Sequence, residues 1–194
     1  MKSIENETIH EIIINKSRFI CVLVPIDSKD TVKEMIDYYK GVYEGATHYC
    51  TAYIIDSYMK CDDDGEPSGT AGMPILNVLK NNELNHVLCI VIRYFGGIKL
   101  GAGGLVRAYS RSVSEGIKNT NIINLTDGYY MKISFNYDDI KVIDNSLKDI
   151  DVKKEFGEKI VYSFKISLGD YQKIENIVNE KCEIINKESM MVKS

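Results

Sequence analysis

The chain has 194 residues, with 24 lysines and arginines against 28 aspartates and glutamates for a net charge of −4, and 44% of its residues are apolar. That length is enough for one medium core or two small ones, and the composition excludes a disordered or collagen-like protein. No uninterrupted apolar run exceeds six residues, as in 87–92, against the roughly 20 needed to span a bilayer, so no membrane segment is expected.

In chain order, the first seven residues are acidic and lack the apolar segment of an export signal, so a cytoplasmic location is expected. Residues 18–24 read as a strand. Thr31-Val32-Lys33-Glu34 has the form of a capping box ahead of the stripe Val32, Met35, Ile36, Tyr39 and Tyr43, which predicts a helix over 30–43. Residues 47–55 alternate as a strand does, and 56–70, polar and broken by Gly and Pro, predict a loop. A helix over 71–80 follows, with Thr70 as candidate cap and Pro74 tolerated near its start. Residues 87–95 predict a buried strand, 96–104 a glycine loop, 105–118 a helix and 119–127 a linker.

Beyond the linker, Tyr129, Met131, Ile133, Phe135 and Tyr137 alternate with Tyr130, Lys132, Ser134 and Asn136, the period of a half-buried strand. Ile140, Ile143 and Leu147 recur at helical spacing behind Asp138 and Asp139. Residues 152–156 supply a weak strand, and Ile160, Tyr162, Phe164, Ile166 and Leu168 mark one face of a stronger one. Tyr171, Ile174, Ile177 and Val178 form another helical stripe, and 182–187 a short closing strand. The order β-α-β-β-α-β is ferredoxin-like. The fold class is therefore mixed α/β (α+β), with domains at 1–124 and 128–194.

The cysteines (Cys21, Cys50, Cys61, Cys89 and Cys182) are odd in number, widely spaced and without a C-x-x-C pair, which argues against a disulfide framework and a Cys-rich zinc site. His10, His48 and His86 are too scattered for a multi-His centre. No cofactor or metal is expected. Asp62, Asp63, Asp64 and Glu66 cluster ahead of a helix. Hard cations favour such oxygen clusters, but the alternation and distal Glu of a calcium loop are missing, and a helix-entry loop whose acids suit the helix dipole is the alternative. His48 and Cys50 share one face of a strand. A Cys–His nucleophile competes here with a small buried hydrophobe, which is the commoner fate of a strand cysteine.

Gly96 to Gly104 runs from a strand into a helix N-terminus, where exposed N–H groups can hold an anion and Lys99 and Arg107 can add charge. The spacing is neither a P-loop nor a dinucleotide fingerprint, and the glycines can equally serve positive φ and close packing. Within the helix, Val106, Tyr109, Val113 and Ile117 predict an apolar stripe, leaving Arg107, Arg111, Ser114 and Lys118 on another face. Residues 91–119 carry five basic side chains against one acid, and 56–72 carry five acids against one lysine. Either the basic helix faces an outside polyanion or the acidic loop folds back to pair with it.

Four segments together resemble the signature of the YigZ/IMPACT family: Lys16-Ser17-Arg18-Phe19-Ile20, His48-x-Cys50-x-Ala52-Tyr53, the run from Asp63 through Leu76, and the run from Arg93 through Tyr109. The resemblance implies an N-terminal β-α-β sandwich like domain IV of elongation factor G and a C-terminal domain like its domain V. It also makes His48, Cys50, Asp63, Asp64 and Glu66 family-motif residues. Eukaryotic members regulate translation during amino-acid starvation and carry an additional RWD domain, for which these 194 residues leave no room, so what carries over is a ribosome- or RNA-linked role.

The expected function is RNA or ribosome association in regulation of translation, with a protein partner in translational control also conceivable. The candidate nucleic-acid or phosphate ligands are Arg93, Lys99, Gly101, Gly103, Gly104, Arg107, Arg111 and Lys118. The alternative is an enzyme acting on a small phosphorylated or peptide substrate between the acidic and glycine loops, with Asp63, Asp64 or Glu66 as base and Lys99 or Arg107 as anion holder. A third possibility is a protein-interaction module using the exposed sheet of the ferredoxin-like domain.

Overall fold

Two stretches of this sequence, 17–25 and 87–94, are apolar almost without interruption, a pattern suited to strands covered on both faces. In the computed structural model, which describes residues 1–194, they are adjacent inner strands of such a sheet. The elements of the first half are β1 (Lys2–Ile4), β2 (Thr8–Ile14), β3 (Ser17–Pro25), α1 (Lys29–Val42), β4 (His48–Ile55), β5 (Tyr58–Asp62), α2 (Gly72–Asn81), β6 (Val87–Tyr94) and α3 (Gly101–Lys118). The second half contains β7 (Ile122–Phe135), α4 (Ile140–Ser146), β8 (Val152–Phe156), β9 (Ile160–Ser167), α5 (Leu168–Lys181) and β10 (Glu183–Lys193). The chain divides into two compact units, Met1–Ile123 and Asn124–Ser194.

In the first unit an antiparallel sheet has the order β2-β3-β6-β4-β5. Phe19, Cys21, Leu23, Cys50, Ala52, Cys89 and Val91 pack on one face against Ile75 and Leu79 of α2 and Leu105, Tyr109 and Val113 of α3. Ile20, Val22, Tyr53, Leu88 and Ile90 pack on the other face against Val32 and Tyr39 of α1. The layers therefore run helix, sheet, helix, within the mixed α+β class. Ser28, rather than Thr31, caps α1: its Oγ accepts from the Thr31 N–H at 3.4 Å. β5 lies within the segment predicted as a loop. It is an exposed edge strand, and an edge strand buries too little to show an apolar pattern.

The path from β6 into α3 depends on one glycine. A Cβ on Gly96 would collide with the backbone of Lys16 and Ser17, the β2–β3 turn in which Asn15 and Lys16 adopt φ of 46° and 64°. The Gly96 N–H donates to Ser17 Oγ at 3.1 Å, and close approach of the two backbones sets the direction in which the chain leaves the sheet.

In the second unit the strands lie in the order β10-β7-β9-β8, all antiparallel, which is the ferredoxin-like arrangement. Met131, Ile133, Phe135, Ile160, Tyr162, Phe164 and Ile166 meet Ile143 of α4 and Tyr171, Ile174 and Val178 of α5 in one core. Lys132 is half-buried and Lys165 exposed, as the alternation requires. The predicted linker 119–127 is corrected in part: β7 begins at Ile122, and Leu125, Thr126 and Asp127 pair with Lys193, Val192 and Met191 of a β10 longer than predicted. Polar residues on the exposed side of a ladder imitate a loop. No helix is long and apolar enough to cross a membrane.

Candidate functional site

The acidic loop is held by its own backbone. α2 begins at Gly72 behind Ala71, which has no side chain able to cap. Asp63 does that work from a distance, accepting N–H groups from Gly69 at 2.8 Å, Ala71 at 3.0 Å and Gly72 at 2.8 Å. Burial alone pushes the Asp63 carboxyl up, but the N–H donors of Gly69, Gly72 and Ala71 outweigh it and hold the pKa below the usual range. Thr70, the predicted cap, instead donates its hydroxyl to the Pro67 carbonyl at 2.6 Å. Asp64, at φ 43°, accepts the Tyr49 N–H at 2.7 Å, and its own N–H donates to Asp62 Oδ1 at 2.8 Å. These carboxylates aim at separate amides, and no three His, Cys, Asp or Glu side chains converge on one point.

Glu66 differs. It is 7% exposed and Arg93 5% exposed, and Arg93 Nη1 donates to Glu66 Oε1 at 2.6 Å while the Tyr109 hydroxyl donates to the same oxygen at 2.7 Å. Arg93, expected as a nucleic-acid or phosphate ligand, is thus a buried charge with Glu66 as its buried counter-ion. Cys50 donates its thiol to the Asp63 carbonyl at 3.0 Å and lies 3.3 Å from the Tyr109 hydroxyl. Burial pushes the Cys50 thiol up to about 12; the hydrogen bond to Tyr109 opposes it, and the Glu66, Asp64 and Asp63 charges add to the rise. Burial first, then Cys50 and Glu66, raise the Tyr109 hydroxyl as well. No hydrogen bond joins His48 to Cys50. Its Nδ1 meets the Asp64 carbonyl at 2.8 Å; a carbonyl only accepts, so Nδ1 carries the proton of the neutral ring and Nε2 is left free, 3.9 Å from Glu66 Oε1.

Above this network lies a cavity of about 440 Å³ lined by Thr47, His48, Glu66, Arg93, Phe95, Lys99, Gly101 and neighbouring residues. Gly101, Gly103 and Gly104, predicted as loop, form the first turn of α3. Three small residues in one turn hide a helix start because glycine is a poor helix former. Arg107, Arg111 and Lys118 lie farther along α3, outside the cavity. Arg111 is paired to Glu115 at 2.7 Å, whereas Lys99, Arg107 and Lys118 are exposed and make no ion pair. Val106, predicted in the buried stripe, is exposed; the buried face is Leu105, Ala108, Tyr109, Ser112, Val113 and Ile117. Sequence reasoning missed Tyr109 and Phe95 as site residues. Tyrosine in an apolar stripe is a usable signal, because a buried hydroxyl needs a partner.

The Impact N-terminal domain model matches residues 15–117, more than half of the chain. The chain belongs to the IMPACT family. Among similar proteins, IMPACT family member YvyE of Bacillus subtilis is 47% identical over 143 residues, 72% of this chain and 66% of that protein. IMPACT family member YigZ of Escherichia coli is 36% identical over 110 residues, 54% of each chain. The alignments therefore span between about half and two thirds of these relatives. A crystal structure of a hypothetical protein is similar at TM-score 0.64 and 24% identity, over 96% of this chain and 97% of that one, a likeness of fold. Every candidate site residue except Lys118 falls within the span matched by the IMPACT domain.

Proposed function

We propose that this IMPACT family chain is an RNA- or ribosome-associated binding protein acting in regulation of translation. The observation that carries this is the asymmetry of pairing. The acids of the 62–66 loop are engaged by backbone amides or by Arg93, while Lys99, Arg107 and Lys118 keep their charges exposed along α3 and the turn before it. A face of unpaired cations on a rigid helix suits a phosphate backbone. The enzyme alternative has less support. Asp63 accepts three N–H donors and Asp64 one, Glu66 is held by Arg93 and Tyr109, and the Cys50 thiol is pushed away from its nucleophilic form. The family resemblance directs the binding toward translation, and a protein partner there is compatible with the same surface.

Arg107→Glu combined with Arg111→Glu is expected to lower co-sedimentation with ribosomes or retention of single-stranded RNA at least tenfold, about the effect of reversing a charge at a phosphate contact, with the circular dichroism spectrum unchanged. Equal binding by the variant and the original chain would refute the assignment of this face.

A further inference from the structure

In the lining of the cavity at the start of α3, two acceptors are left without donors. Glu66 takes both of its hydrogen bonds, from Arg93 Nη1 and from the Tyr109 hydroxyl, on Oε1; Oε2 accepts none, although the side chain is only 3% exposed. Arg93 Nε and the Tyr39 and Ser112 hydroxyls are unpaired because they are sealed inside the protein. Glu66 Oε2 keeps accessible surface and opens onto the cavity that Glu66 lines. His48 borders the same cavity. Its Nδ1–H is engaged by the Asp64 carbonyl, so Nε2 presents a lone pair beside the Glu66 carboxylate, 3.9 Å from Oε1. Buried polar atoms in native proteins are nearly always paired, and unpaired acceptors on a cavity wall point to a ligand that brings donors.

We propose that the cavity takes a guanine base of a single-stranded RNA, read on its Watson–Crick edge by Glu66 Oε2 and His48 Nε2. The inference rests on the RNA-binding reading above and specifies the base that is recognised. Guanine sets two adjacent donors, N1–H and the 2-amino group, against two adjacent acceptors. Adenine and cytosine place a ring-nitrogen acceptor beside their amino group, and uracil places a carbonyl on each side of its one N–H. Beside N1–H guanine carries O6, an acceptor, and the first amides of α3, at Gly101 and Ala102, line the cavity with no side chain capping them. Phe95, 46% exposed and with the Arg93 guanidinium 5.4 Å from its ring centre, is a platform on which a base can stack. A guanidinium would also bring paired donors, but Lys99 in the lining is exposed and makes no ion pair, so it repels a cation and leaves a neutral base unaffected. A volume of about 440 Å³ suits a ligand unit of this size.

Affinities of the full chain are measured for one oligouridylate carrying a single guanine, inosine or adenine at its centre, and for guanosine 5′-monophosphate and argininamide by the shifts of the Gly101 and Ala102 amides. The guanine RNA is expected to bind about tenfold more tightly than the inosine RNA, which lacks the 2-amino group, the effect of one hydrogen bond to a charged acceptor. Adenine, with an acceptor at N1, should bind more weakly than guanine by at least as much. His48→Phe should reduce the preference for guanine over adenine about tenfold with the circular dichroism spectrum unchanged, whereas Arg107→Glu should weaken all three RNAs and leave it. Equal affinity for the three RNAs overturns the proposal and leaves the RNA-binding reading standing. Saturable binding of argininamide without binding of the monophosphate overturns the proposal in favour of a cationic ligand. Saturable binding of the monophosphate with no binding of any RNA overturns both.

Discussion

The buried Glu66–Arg93 pair sets the energetics at the scale of single residues. Two charges out of water hold each other only while both are present, so removing one leaves the other uncompensated. Glu66→Leu is expected to destabilise the protein by about 3–5 kcal/mol, read as a lower urea midpoint. Glu66→Leu with Arg93→Met should recover much of that loss, because an apolar pair needs no compensation. A double variant no more stable than Glu66→Leu alone would contradict the account. Cys50 follows from the same burial. With its pKa pushed up to about 12, it should resist iodoacetamide at pH 8 in the folded protein and react only on unfolding. Rapid alkylation of native Cys50 would restore the nucleophile reading.

Among elements, α2 depends most on a single distant residue. Asp63 accepts three amides at its start, and losing such a cap costs about 0.5–2 kcal/mol. The carboxyl has a lower pKa in the folded chain than in the unfolded one. Its contribution is therefore fully present above the unfolded value, about 3.9, and is lost as pH falls through the folded value. Asp63→Asn should lower the urea midpoint at pH 7 and flatten the acid limb of stability below about pH 4. An acid limb unchanged by the substitution would mean that other carboxylates dominate it.

The elements also mark where the sequence is legible. β7 and β9 announce themselves because each packs one face on a core, and β6 because both its faces are covered. β2 and β5 do not, since edge strands expose side chains on both sides of the pattern. The candidate site is legible as residue types, a glycine turn beside cations and acids, but not as partnerships. Arg93 reads like Lys99 or Arg107 until the fold brings Glu66, 27 positions away, to its guanidinium. Asp63 reads as one acid of a helix-entry loop, but that it caps α2 through the amides of Gly69, Ala71 and Gly72 appears only in the fold. Such contacts depend on tertiary placement, which local periodicity does not encode.

For the whole molecule, a net charge of −4 would discourage association with a polyanion if charge were evenly spread. It is not: Lys99, Arg107 and Lys118 remain unpaired, while the nearby acids of the 62–66 loop are turned to backbone amides or to Arg93. Binding should then depend on a few local phosphate contacts and be sensitive to salt. The most direct test is the affinity of the full chain for a short single-stranded RNA as a function of salt concentration. Three phosphate contacts, through Lys99, Arg107 and Lys118, predict a slope of log affinity against log salt of about −2, shallower by about 0.7 in Arg107→Glu. No measurable binding at low salt, or an affinity indifferent to salt, would contradict the account.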